Sequence, residues 1–271
     1  AVYIATPHPL HAEWAIKAAE AGKHVFCEKP LGMNMREAKA ICDAARRNNV
    51  VLMETFMYRS FTRTRKLWEL IRDGAIGEVR AIETNFAFMG SPDPQSRLMN
   101  KELGGGGILD IGCYPVSFVR LMAGAAKGEP FVNPVEVRAL GHLGETGVDE
   151  YAAALLRFSD GLIADISCGI RVKRDPHATV YGSIDWLDIP NPFFNGQRSP
   201  QLHRHREQPI ELENEVPQNR FIPEIEDFTR YVRENRMPEW PSMSREDSLG
   251  NMETLDRWRQ AIGLSYPADA N

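Results

Sequence analysis

The sequence is poor in residues that build metal sites and covalent staples. It holds four cysteines, Cys27, Cys42, Cys113 and Cys168. None has the spacing of a zinc ligand pair, which leaves them as reduced thiols. His203 and His205 alternate like strand neighbours, but no third ligand stands nearby, so no metal is expected. No apolar run approaches the roughly 18 residues of a membrane helix, so no membrane partner is expected. Positive charge is not in excess. Lys and Arg number 32 against 37 Asp and Glu, a net charge of -5. Basic clusters such as Arg171-Val172-Lys173-Arg174 are short, which argues against nucleic acid as a partner. No internal repeat, low-complexity linker or signal peptide is visible. The composition left after these exclusions agrees with a soluble cytoplasmic protein long enough for two domains.

What is present begins as alternating elements. Residues 2–5, 24–27 and 50–53 are apolar runs that read as buried strands. Between them, residues 12–21 read as a helix stopped by Gly22. A second helix follows Asn34, with Glu37 placed as in a capping box. Its Ala38, Ile41, Cys42 and Ala45 recur at helical spacing. This β-α-β-α-β order implies a parallel sheet with right-handed crossovers. After Arg59 the pattern changes. Residues 64–72 read as a helix, and residues 79–88, 135–140, 152–158, 162–168, 179–181 and 186–189 as strands. Ser159-Asp160-Gly161 is a hairpin signal. Short turns between strands suggest a largely antiparallel sheet. Helices over 221–233 and after Ser244 close the chain.

Two motifs carry chemistry. Glu28-Lys29-Pro30 follows the second strand, so it places a cation at a carboxyl end, where open α/β sheets bind ligands. Such a lysine can lower the cost of negative charge on a substrate oxygen; the plain alternative is a surface ion pair. The second motif is a run of four glycines, 104–107, followed by Asp110 and Tyr114. Glycines let a backbone approach a ligand closely, and the acid and phenol share a face if the following helix starts early. The alternatives are a flexible loop, a helix cap and a core aromatic.

Together these motifs resemble the Gfo/Idh/MocA family of nicotinamide-dependent oxidoreductases. The similarity runs from Val2-Tyr3-Ile4-Ala5-Thr6-Pro7 and His11 through Ala21-Gly22-Lys23-His24 and Glu28-Lys29-Pro30. It continues at Met57-Tyr58-Arg59, Gly74-Ala75-Ile76-Gly77-Glu78 and the glycine–aspartate–tyrosine segment, and ends at Glu246-Asp247-Ser248. Tyrosine at 114, where many members have histidine, is similar to the branch of sugar and dihydrodiol dehydrogenases. The family's usual opening strand and G-x-G-x-x-G turn are not seen, so the expectation is a chain lacking the N-terminal part of its Rossmann domain. The resemblance then implies residues 1–58 as the C-terminal half of a dinucleotide-binding Rossmann domain. Residues 59–271 would be an α+β substrate and oligomerisation domain on an open, largely antiparallel sheet. It implies hydride transfer between NAD or NADP, with NADP favoured, and a sugar or related cyclic polyol; a non-catalytic cofactor-binding sensor is the alternative. A homodimer or homotetramer built on residues 135–186 is expected. By resemblance, Tyr114 is the acid/base, its phenolate favoured by the neighbouring cation of Lys29, and Asp110 binds substrate hydroxyls or positions the lysine. Thr6, Pro7, His11, Glu28, Lys29, Pro30 and Arg59 border the cofactor. Trp186, Phe193 and Phe194 read as core aromatics, with stacking on a sugar ring as the other reading.

Overall fold

The computed structural model describes residues 1–194, 198–215 and 217–270. Three short strands, β1 (Val2–Ile4), β2 (Val25–Cys27) and β3 (Leu52–Glu54), pair in parallel in that order. Helices α1 (His11–Glu20) and α2 (Met35–Arg47) connect them and pack on each other. The boundaries follow local signals. Gly22, just past α1, has φ +69°, a conformation that suits glycine at a helix stop. The Asn34 side chain accepts the Glu37 amide at 3.0 Å. The Glu37 carboxylate accepts the amide of Met33, at 2.9 Å, so the reciprocal half of the expected capping box is displaced by one residue.

Strands β2 and β3 are buried on both faces, as their continuous apolar runs require, whereas β1, at the edge, leaves Val2 and Tyr3 exposed. Val25 and Cys27 join the core shared with α1 and α2. Phe26 faces the other way and stacks on Phe228 of helix α5 (Ile222–Glu234), with ring centroids 4.8 Å apart. The C-terminal part of the chain thus folds back over the first sheet.

After helix α3 (Thr62–Arg72) come strands β4 (Val79–Ala87), β5 (Glu136–Leu143), β6 (Asp149–Arg157) and β7 (Ile163–Gly169). They are followed by β8 (His177–Gly182), β9 (Trp186–Pro190), β10 (Gln201–His203) and β11 (Ile210–Glu211). These form one eight-stranded sheet in the order β11-β10-β9-β8-β4-β7-β6-β5. The β4–β7 pair is parallel and the other described pairs are antiparallel. Side chains alternate across it: Ala152, Ala154 and Leu156 are buried, whereas Tyr151 and Leu155 are exposed. The exposed face also carries Ile163 and Leu140, the latter 84% exposed. Two readings from the sequence are corrected here. His203 ends β10, but His205 lies in the following turn, so the two are not strand neighbours. The helical stretch Lys101–Ala125 is long and apolar enough to cross a membrane by composition, yet its apolar window is wholly buried inside the protein.

That stretch contains helix α4 (Cys113–Ala125), every residue of which is buried. A helix apolar on all sides belongs in a core, and α4 packs against β4, β7 and helix α6 (Arg245–Ala261). The Ser244 side chain caps α6 by accepting the Asp247 amide at 3.1 Å.

Candidate active site

A cleft of about 430 Å³ opens at the carboxyl ends of β1 and β2, lined by Thr6, His8, Glu28, Lys29, Arg97 and Asp110 among others. Strand ends expose ligand-binding loops in such sheets, and this cleft draws its walls from both sheets' connections.

Lys29 leaves β2 two residues past its end. Its ammonium donates to the backbone carbonyl of Asp110 at 2.5 Å and lies 3.5 Å from Asp110 Oδ1. Two of its three donors are thereby directed at Asp110, and one remains for the cleft. Arg97 Nη1 donates to the same Oδ1 at 2.9 Å. Asp110 stands in a π-helical turn, Ile108–Gly112, immediately before α4. Such turns often occur at functional sites, and this one brings both the carbonyl and the carboxylate of Asp110 to Lys29. The expected cap role of Asp110 is not found; its side chain serves the two cations.

Tyr114 follows in the first turn of α4. Its ring is buried among Phe56, Phe86 and Phe193, with centroids 5.2, 5.4 and 5.4 Å away. Lys29 Nζ lies 5.2 Å from the ring centroid. The cation lies over the ring, and among the described residues no hydrogen bond joins it to the Tyr114 hydroxyl, so the expected pairing of ammonium with phenolate is not seen. Burial, with the Cys113, Glu28 and Glu224 side chains adding to it, holds the Tyr114 phenol well above its ordinary pKa. Burial alone would lower Lys29, but the Asp110 carboxylate outweighs it and raises the ammonium. Burial alone would raise Asp110, and Lys29 with Arg97 holds it below the usual carboxylate range. The resting site is therefore an ammonium, a carboxylate and a neutral phenol.

The remaining predicted residues separate into two groups. Thr6, Pro7, His11 and Glu28 line the cleft. Glu28 Oε1 accepts the Tyr3 hydroxyl at 2.6 Å. The ring nitrogens of His11 face the carbonyls of Pro30 and Thr6, each at 2.9 Å, so His11 and Pro30 hold the two strand-end loops together. His8 Nδ1 lies 3.1 Å from the Gly104 carbonyl, and burial, aided by Lys29, pushes its pKa down to about 3. Arg59 is a correction. Its guanidinium is 1% exposed and donates to Asp247 at 2.8 Å and to the Pro241 carbonyl at 2.7 Å. It turns into the interior because a buried carboxylate waits there, so it does not line this cleft. The glycine run is a second correction: a Cβ on Gly105 would meet the Leu98 carbonyl at 2.5 Å and one on Gly106 would meet Asp149 at 2.3 Å. These glycines admit protein atoms. Phe193 is in the core, stacked on Phe86 at 5.3 Å, and Trp186 stacks on His203 at 4.8 Å. Arg97, which completes the charged group, was missed from the sequence.

The model of an oxidoreductase family with an NAD-binding Rossmann fold, GFO/IDH/MocA, matches residues 1–56. That of the GFO/IDH/MocA C-terminal domain matches residues 64–187. A trans-1,2-dihydrobenzene-1,2-diol dehydrogenase of Xenopus tropicalis is 32% identical over 98% of this chain and 79% of its own. A D-xylose 1-dehydrogenase (NADP(+)) of Haloferax volcanii is 31% identical over 94% of this chain and 76% of its own. Among solved structures, a 3-ketoreductase from Actinomadura kijaniata in complex with NADP and TDP-benzene superposes with a TM-score of 0.83 at 28% identity, covering 97% of this chain and 78% of the other.

Proposed function

The chain belongs to the GFO/IDH/MocA family of oxidoreductases, and from that premise we propose that it interconverts a carbinol and a carbonyl on a small polyhydroxylated substrate, a sugar or cyclic diol, with NADP(H) as cofactor. The observation that carries the reading is Lys29, held by Asp110 at a strand end with one donor free toward the cleft and Tyr114 packed beneath it. The diol and xylose dehydrogenases among the relatives support the substrate class, and the NADP in the xylose dehydrogenase's name and in the neighbouring complex supports the cofactor.

The cleft fits a nicotinamide ribose. Thr6 Oγ1 is buried without a partner at the end of β1, Glu28 offers a carboxylate beside it, and Lys29 offers a donor. Thr6, Pro7, Glu28 and Lys29 would hold that end of the cofactor, which when bound supplies or accepts the hydride. The chain's own part is orientation and proton handling. Lys29 Nζ donates to the reacting oxygen and stabilises negative charge as it develops there. Tyr114 Oη, neutral at rest, holds the proton that this oxygen gains on reduction. Asp110 fixes the ammonium and, shared with Arg97, keeps it charged. Both donors being protonated suits the reductive direction. The test is to mix the intact protein with NADPH or NADP and a panel of keto sugars, aldoses and cyclic diols while following absorbance of the reduced cofactor. No turnover on any member would sink the reading.

We also propose that the exposed sheet face around Tyr151 and Leu155 joins two copies of the chain. A strictly monomeric light-scattering mass at micromolar concentration contradicts it.

A further inference from the structure

Asp149 has no place in the chemistry above, yet it carries a carboxyl group that is 0% exposed. Its position is peculiar within β6. Along this strand the even-numbered Ala152, Ala154 and Leu156 are buried, while Tyr151 and Leu155 are exposed. By alternation Asp149 should face outward with Tyr151. It does not, because the ladder shifts: His142 pairs with Tyr151, but the next residue, Leu143, pairs with Asp149. Glu150 is the extra residue of a bulge, and its carbonyl accepts the amides of Ile170 and Arg171 at 2.9 and 3.3 Å instead. A bulge re-aims the side chains beside it. Here it turns a carboxyl into the protein.

The inward carboxyl ends on the site's mount. Asp149 Oδ2 accepts the amide of Ile108 at 2.7 Å, the first residue of the π-helical turn that holds Asp110 and leads into Tyr114. That amide is one of the orphan donors at a helix start, which need an acceptor from elsewhere when buried. The glycine run is shaped around the same group. Gly106 has φ +113°, and a Cβ there would lie 2.3 Å from Asp149 Oδ1; one on Gly107 would lie 3.1 Å from Oδ2.

We propose that Asp149 is a positioning residue for the active site: turned inward by the Glu150 bulge and seated against the Ile108 amide in a socket of glycines, it sets where Asp110 and Tyr114 stand. The inference rests on the proposed oxidoreductase site for its catalytic consequence, though not for the mount itself. It makes Gly106 and Asp149 two halves of one fitting, so damage to either should have the same effect.

Three variants of the intact protein test it. Asp149→Leu keeps the branching at Cγ but removes the acceptor and adds bulk, and Asp149→Asn keeps an oxygen for the Ile108 amide at nearly the same volume. Gly106→Ala fills the socket. Expected for Asp149→Leu and for Gly106→Ala is at least a tenfold fall in kcat per folded molecule, with the cofactor KM within threefold of wild type. Asp149→Asn should keep kcat within about fivefold. The double variant should be no worse than the poorer single, since residues acting as one unit are non-additive. Hydrogen exchange of the peptide spanning residues 104–114 provides a readout independent of turnover: it should lose protection in Asp149→Leu and keep it in Asp149→Asn. If wild type turns over no candidate substrate while this exchange pattern appears, the mount stands and the oxidoreductase reading falls. Equal protection in Leu and Asn variants, or fully additive losses in an active enzyme, overturns the proposal. Should Asp149→Leu fail to fold, the Gly106→Ala and Asp149→Asn pair decides by the same two readouts.

Discussion

The cleft and the interior each hold a carboxylate shared between two cations, and the two groups differ in what is left over. In the cleft, Asp110 serves Lys29 and Arg97, whose side chains are 14% and 56% exposed. In the interior, Asp247 serves Arg59 and Arg120, at 2% and 0%. In the interior every guanidinium nitrogen has an acceptor. Arg59 also donates to Pro241 and Ser117, and Arg120 to Asn133. The cleft group keeps a free ammonium donor and opens to solvent. The same charges therefore lock one place and arm the other, and the difference is donor saturation rather than composition.

That contrast can be broken from its stable side first. Asp247→Ala strands two guanidiniums in the interior, and breaking a buried pair costs about 3–5 kcal/mol. Urea denaturation should show a loss of this size, or no folded protein at all. Wild-type stability would make the interior group ornamental. On the cleft side, Lys29→Met and Tyr114→Phe should each lower turnover about 10²-fold, with thermal midpoints near wild type for the lysine. The double variant should lose much less than the product of the two. Near-normal turnover in Tyr114→Phe removes the phenol from the mechanism.

Glu54 sharpens the comparison because it holds the loop that follows Lys29 and feels the charges of the interior group. Its Oε1 accepts the Leu31 amide at 2.8 Å, just past Lys29-Pro30, and it lies in the field of Asp247 and Arg120. Burial pushes it up to about 7 from an ordinary 4.5. The folded state then binds this proton more tightly than the unfolded one, so its contribution is fully present below the ordinary value and is lost as pH rises toward 7. Glu54→Gln should remove that slope: relative to wild type it gains about 1–3 kcal/mol between pH 5 and 8, read by denaturation at several pH values. A constant difference contradicts the assignment. Smallest is Arg97→Gln. Being half exposed, it should cost stability under about 1 kcal/mol and turnover up to roughly tenfold, with the turnover loss outweighing the stability loss.

How much of this was legible differs by residue. The β-α-β-α-β unit followed from short apolar runs set between helical spacings, and the hairpin strands from alternation, which β6 keeps from Tyr151 to Arg157. Lys29 and Asp110 were visible because both stand at element ends, where local motifs decide geometry. Arg59 misled because an arginine after a strand reads alike whether it faces a cleft or a carboxylate 188 residues further along. Arg97 comes from an irregular loop with no pattern to betray it. Asp149 was hidden by a bulge, which reverses the parity on which strand reading depends. The glycines were seen but assigned to a ligand, because what fills a socket cannot be read from the socket's own residues.

The central place of β4 governs the order in which this protein can be made. Ala81 pairs with Ile163 on one side and Tyr181 on the other, so the middle of the large sheet waits for chain synthesised long after it. Until then α4, buried along its whole length in the finished fold, has no sheet to cover it. Non-local pairing of this kind slows folding, and uncovered apolar surface favours aggregation. During synthesis, the interval between the emergence of residue 125 and that of residue 181 is when this chain is most exposed to misassembly and has most use for a chaperone.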